Sequence, residues 1–174
     1  ESEAGVSFPV QNSGDAEITG LEVELTFQPT PRLNLFANFT LQDAEYTSLN
    51  EGSDAAIAEA AFGSATPPQV PDLAYTIGGS YTFDVPYTSG GTITIGGDHY
   101  YTDDYFIAAA NDFIIDSYSR SSAYVTYGFS EQLEARLAAT NVNDGVDIPS
   151  GAAVFNSVVV LPPRQIMFSV SYAY

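Results

Sequence analysis

Leu73-Ala74-Tyr75-Thr76-Ile77-Gly78-Gly79-Ser80-Tyr81-Thr82-Phe83-Asp84 places its large apolar and aromatic side chains at odd positions and small or polar ones at even positions. A period of two sends neighbouring side chains to opposite faces of a β-strand. This strand therefore has an oily face and a wet face. After a turn around Pro86 to Gly90 the pattern resumes, with Ile93, Ile95, Gly97, His99 and Tyr101 set against Thr92, Thr94, Gly96, Asp98 and Tyr100. Working outward, the same alternation covers Leu21–Phe27, Leu33–Gln42, Ala123–Phe129, Leu133–Thr140 and Gln165–Tyr174. That makes seven strands. Residues Gly5–Val10 predict the end of an eighth, weakened by Pro9, which cannot donate to a sheet ladder. The strands run to roughly 9–13 residues, where ~5–6 is usual in soluble proteins.

The connections alternate in length. Short ones fall at 28–31, 85–90 and 130–131, and long ones at about 47–71, 103–113 and 142–161. Antiparallel strands joined this way put every long loop at one end, as outer-membrane barrels do. Phe27, Phe83 and Phe129 each precede a short turn with the oily parity of their strand, and Tyr174 would join them at that rim. Such a row fits an interfacial aromatic girdle. The expected fold is all-β, with long antiparallel up-and-down strands of a transmembrane-type β-barrel, here seven to eight strands of a partial barrel. A soluble β-sandwich with an aromatic-rich edge is the weaker alternative.

Composition narrows the function. The 174 residues carry 4 Lys+Arg, all Arg, against 22 Asp+Glu, a formal net charge of −18. That balance repels nucleic-acid phosphates. With 45% hydrophobic residues the chain is not disordered. The absence of Cys removes disulfides, thiolate catalysis and Cys zinc sites, and a single His removes a multi-histidine metal centre. No run of 18 apolar residues exists to form a membrane helix, although spanning strands escape that criterion. No signal peptide opens the chain, which predicts a mature protein or a piece of a longer one.

No nucleophile elbow, zinc-protease motif or P-loop is present, so no enzyme is predicted. His99 lies near a strand end beside Tyr101, a girdle position rather than a catalytic one. Acidic residues gather in two loops, and Asp103, Asp104, Asp112, Asp144 and Asp147 are the candidate ligands for a hard cation such as Ca²⁺. The run from Asn141 to Gly145 is not an EF-hand, because its Gly comes one place early and no Glu closes it. Solvated carboxylates are the favoured reading of both loops. Glu22, Glu24, Glu134 and Arg136 have wet-face parity, and Arg136 is expected to pair with a cross-strand carboxylate. Asp54 to Phe62 has the composition of a short loop helix.

Several segments, in order, resemble the C-terminal third of TonB-dependent outer-membrane receptors. Asn12-Ser13-Gly14-Asp15-Ala16 leads into Gly20-Leu21-Glu22-Val23-Glu24-Leu25. Pro29 to Leu35, Asp43-Ala44-Glu45-Tyr46 and Asn141-Val142-Asn143-Asp144 follow, and Pro162-Pro163-Arg164 opens a last strand ending in an aromatic residue. The final Tyr stands where that family more often has Phe. The resemblance implies residues 1–174 as the C-terminal part of a 22-stranded barrel, with the plug domain and N-terminal strands outside these residues. The parent would import a scarce ligand (siderophore, cobalamin, carbohydrate or similar) across the outer membrane of a Gram-negative bacterium. Its partners would be outer-membrane lipid, the remainder of the barrel and plug, and the TonB system. No substrate residues are carried over. A partial barrel leaves two open edges, so a second expectation is pairing with copies of itself into an extracellular β-filament.

Overall fold

The computed structural model describes residues 12–86, 90–152 and 157–173. Two 17-residue strands, β1 (Gly14–Thr30) and β2 (Leu33–Leu49), are followed by helix α1 (Asp54–Phe62), β3 (Leu73–Asp84) and β4 (Thr92–Thr102). Two short ribbons lie within the long loops: β5 (Tyr105–Phe106) with β6 (Ile114–Ile115), and β9 (Ser150–Ala152) with β10 (Ser157–Val159). The remaining long strands are β7 (Tyr118–Gly128), β8 (Leu133–Thr140) and β11 (Gln165–Tyr172). One antiparallel sheet takes the long strands in the order β1-β2-β3-β4-β7-β8-β11. This is an up-and-down meander that does not close, with β1 and β11 at its edges. The expected strand end at Gly5–Val10 and the expected rim position of Tyr174 lie outside the described residues.

Register carries the oily parity through all six pairings. Leu25 stands opposite Ala37, Ala37 opposite Ile77, and Ile77 opposite His99. Further along, Ile95 faces Val125, Val125 faces Leu137, and Leu137 faces Phe168. A one-residue slip in any pair would send that strand's oily set to the other face. Leu25, Ile77, Val125 and Val170 are exposed, at 55%, 41%, 39% and 59%. Among the described residues no second layer covers this face, so the sandwich expectation fails: a sandwich packs the inner faces of two sheets together.

The turn-end rim holds Phe27, Phe83 and Phe129, all exposed. Tyr81 packs edge-on to Phe83, and Tyr127 edge-on to Phe129, at 4.6 and 4.4 Å. Towards the loops a second aromatic group forms on the same face. Tyr75 lies 5.7 Å from Phe39, stacks on Tyr101 at 5.3 Å and approaches the His99 ring at 6.1 Å. From Phe83 to Tyr75 is about 27 Å of strand at ~3.4 Å per residue, or about 21 Å across a membrane at a tilt of ~40°. The two aromatic belts therefore bracket a band close to the ~25 Å height of an outer-membrane barrel.

β1 and β2 exceed the expected strand length. Their ladder continues past Leu21–Leu41 through Thr19–Asp43 and Glu17–Glu45, with a bulge between Asp15 and Ala16. Backbone pairing persists there while the outward side chains turn polar. Hydrophobic alternation marks only the part of such a strand whose outward side chains are apolar.

The sealed interior sits in the loops rather than on the sheet. Ala55, Ala58, Ile115, Ser53, Asn111, Asn141 and Asp147 are buried there, as is Thr102 at the loop end of β4. Helix α1 forms where expected. The Ser53 side chain accepts from the Ala56 N–H at 3.2 Å as its N-cap, and Gly63, at φ 81°, ends it in the left-handed conformation that suits glycine.

Candidate functional site

Three long connections, 50–72, 103–117 and 141–164, meet through their described residues at the loop end of the sheet. Asn111 clasps Thr66 through two bonds: its Oδ1 accepts from the Thr66 N–H at 2.7 Å and its Nδ2 donates to the Thr66 carbonyl at 2.9 Å. The Gln69 N–H donates to the Phe106 carbonyl at 2.8 Å. The Tyr105 hydroxyl donates to the Pro149 carbonyl at 2.8 Å. Burial raises the Tyr105 phenol pKa above its ordinary value, and neighbouring Tyr100 adds to the effect.

These contacts frame a cleft of about 340 Å³ lined by Gln69, Pro71, Tyr100, Thr102, Tyr105, Ile107, Pro149 and Ser150. Tyr100 and Thr102 belong to the wet parity of β4, so the cleft opens at the loop end of the hydrophilic face. The Tyr100 and Tyr118 rings lie 5.9 Å apart beside it. Two phenol rings, two hydroxyls and one amide among apolar Pro71, Ile107 and Pro149 are groups suited to stacking and neutral hydrogen bonds.

A polar knot fixes the neighbouring connection between β8 and β11. Asn141, 1% exposed and at φ 50°, donates through Nδ2 to the Gly145 carbonyl, and its Oδ1 accepts the Gly145 N–H. Arg164 donates from Nη2 to Asp144 at 2.8 Å. Arg120 reaches across from β7. Its Nη1 meets Asp147 at 3.0 Å and its Nη2 donates to the Pro162 carbonyl at 2.8 Å. Asn143 extends the β7 ladder with its side chain, accepting the Ser121 N–H and donating to the Ser119 carbonyl. The Asn141–Asp144 segment thus ties the loop ends of β7, β8 and β11 together.

Down the wet face, Arg136 stacks over the Tyr124 ring at 3.7 Å. This corrects the expected ion pair: among the described residues no carboxylate lies within ion-pair reach of Arg136. The Tyr124 ring in turn covers Gly96, where a Cβ would come within 2.6 Å of it. Phe36 covers its cross-strand partner Gly78 in the same way. Glycines in mid-strand provide room for rings lying flat against the sheet.

The candidate cation ligands do not converge. Asp103 accepts the Tyr101 hydroxyl at 2.7 Å, Asp144 pairs with Arg164, and buried Asp147 pairs with Arg120. Asp104 and Asp112 are exposed. Among the described residues no group of three His, Cys, Asp or Glu side chains is placed to hold a metal ion. Asp147 departs from the solvated-carboxylate reading, because an arginine from another strand takes it out of water. His99 lies on the oily parity, its Nδ1 2.9 Å from the Ser121 Oγ. Sequence reading missed the cleft altogether. Gln69, Tyr105 and Pro149 are far apart in the chain, and no local motif joins them.

A sequence model of the family "TonB dependent receptor-like, beta-barrel" matches residues 2–142. The ferrichrome outer membrane transporter/phage receptor of Escherichia coli K12 is 28% identical over 87% of this chain and 19% of its own length. The probable TonB-dependent siderophore receptor PiuA of Acinetobacter baumannii is 25% identical over 76% of this chain and 17% of its own length. The chain therefore spans less than a fifth of these relatives. The crystal structure of PiuA shares the fold with TM-score 0.74 and 24% identity, over 91% of this chain and 22% of that one. The ferric yersiniabactin uptake receptor FyuA of Yersinia pestis does so with TM-score 0.74 and 16% identity, over 92% and 24%.

Proposed function

The chain belongs to the β-barrel family of TonB-dependent receptors, and from that premise we propose that it is the C-terminal portion of an outer-membrane receptor barrel whose parent takes up a ferric siderophore-type chelate. The family consists of receptors and transporters, and no enzyme activity is proposed for this chain. The oily face meets outer-membrane lipid, the wet face lines the lumen beside the plug, and the three docked loops form part of the outer vestibule. Energy would come from the TonB system through the parent's N-terminal region. One observation carries this reading: the outward apolar parity continues through all six strand pairings and ends in an aromatic belt on each side. A face with 25 cal/mol of burial energy per Å², roughly, does not stay open to water over seven strands.

Edges β1 and β11 are closed, in this reading, by the receptor's other strands rather than by copies of the chain. Nothing in the sheet favours a filament over barrel closure, whereas a filament would leave the oily face to be covered by other means.

These 174 residues contain no Cys, so in a receptor whose other segments are also free of Cys, single cysteines placed here report topology. In the full-length receptor on intact cells, a membrane-impermeant maleimide should label Asp112→Cys in the long loop and spare Gln132→Cys in the short turn. Labelling of Gln132→Cys but not Asp112→Cys would reverse the orientation. Equal labelling of Val125→Cys and both of these sites would remove the membrane from the reading.

A further inference from the structure

We propose that the cleft wall selects its ligand by charge, accepting an uncharged or cationic metal chelate and disfavouring an anionic one. This rests on the reading of the cleft as part of a receptor vestibule and narrows its substrate class. The basic side chains of the whole chain are four Arg and one His, with no Lys. Every Arg is already engaged. Arg120 is held by Asp147 and the Pro162 carbonyl, and Arg164 by Asp144. Arg136 lies over Tyr124, and Arg32 pairs with Asp84 at the opposite, turn end of the sheet. His99 has the oily parity and is bonded to Ser121. Among the described residues no unpaired cation adjoins the cleft: Arg120, the strand partner of the lining residue Tyr100, is already matched by Asp147.

The loops that supply Gln69, Pro71, Tyr105 and Ile107 point the same way. Connections 50–72 and 103–117 carry four carboxylates each and no basic residue. Asp72 and Asp104 are exposed and adjoin the lining residues Pro71 and Tyr105. The wall itself offers uncharged groups: the Tyr100 ring and hydroxyl, Thr102, Ser150 and the Gln69 side chain. Stacking and neutral hydrogen bonds suit a chelate whose metal charge is balanced by its own ligands. A chelate with excess negative charge enters against the loop carboxylates and gains no compensating ion pair.

The test uses the full-length receptor that carries this segment, with two iron(III) chelates of similar size: an uncharged trihydroxamate and a trianionic tricatecholate. Dissociation constants are measured at low salt, about 0.1 M, and at high salt, about 1 M, for the wild type and for the double variant Asp72→Asn/Asp104→Asn. Two carboxylates at ~10 Å from a trianion, screened at about 0.1 M, amount to about fivefold in affinity. The neutral chelate should bind more tightly, within about twofold across both salts and both proteins. The anionic chelate should tighten with salt, and by about fivefold at low salt in the double variant. An anionic chelate that binds more tightly than the neutral one, or ignores the double substitution, overturns charge selection and leaves the vestibule reading standing. If neither chelate binds a receptor that still shows heat-modifiable mobility, the reading of the parent's ligand as a ferric chelate fails with charge selection, whereas the vestibule reading fails when the impermeant maleimide spares Asp112→Cys.

Discussion

Val125→Arg tests the two-faced sheet at its centre. Val125 lies between Ile95 and Leu137 on the oily face. It is four positions from Phe129 at the turn-end rim, about 14 Å of strand and about 10 Å along the membrane normal at a tilt of ~40°. In an apolar band ~25 Å tall this is close to the midplane, where an arginine on the lipid face costs about 2–4 kcal/mol. Thr126, one residue on, faces the wet side opposite Arg136. An arginine there stays hydrated, and its repulsion from Arg136 in water amounts to about 1 kcal/mol or less, falling with salt. The assay is guanidinium unfolding of the full-length receptor in lipid vesicles, with each variant compared to the wild type. Val125→Arg should lower the unfolding free energy by about 2–4 kcal/mol at any salt, and Thr126→Arg by under about 1 kcal/mol, less at high salt. A larger cost at Thr126 than at Val125 would show the faces to be assigned the wrong way round.

Three further outcomes follow from the loop layer and the wet face. Arg120→Gln leaves the buried Asp147 carboxylate without its cation, so connection 141–164 should lose about 3 kcal/mol of local stability, seen as faster amide exchange and proteolysis confined to that connection; unchanged exchange would remove the ion pair from its supporting role. Gly96→Ala puts a methyl group where the Tyr124 ring lies and should displace that ring and weaken the Arg136 contact, a loss of about 1 kcal/mol that is absent when the same change is made in a Tyr124→Ala background. Tyr105 has a folded-state pKa above the ordinary 10.0, so its neutral, donating form stabilises the docked loops fully below pH 10 and that contribution drains away as pH rises through the folded value; loop exchange rates should climb in that alkaline window in the wild type and lose this component in Tyr105→Phe.

Different parts of the molecule were legible to different degrees, for physical reasons. The alternation in 73–84 and 92–101 reads directly as strands because each residue's face follows from its own parity. Helix α1 was equally readable, since helix propensity over Asp54–Phe62 is local; its cap, Ser53, came from the structure. The upper halves of β1 and β2 were not, because pairing there continues after the outward side chains become polar. Arg136 was assigned a carboxylate on charge alone, and found Tyr124 because Gly96 gives that ring space to lie beneath it. Asp144 and Asp147 looked alike as loop acids. One is a half-exposed partner of Arg164 and the other a buried partner of Arg120, a distinction made by strand β7 rather than by their own neighbours.

Parity, loop alternation and charge thus follow from the order of residues, since each depends on side-chain chemistry at short range along the chain. Strand register fixed across six pairings, the docking of three loops and the cleft between them depend on groups that meet from distant positions. Tyr105 on Pro149, Asn111 on Thr66 and Arg120 on Asp147 become neighbours only when the meander brings every long connection to one end of the sheet, because hydrogen bonds and ion pairs act over a few ångströms, whatever the separation in sequence.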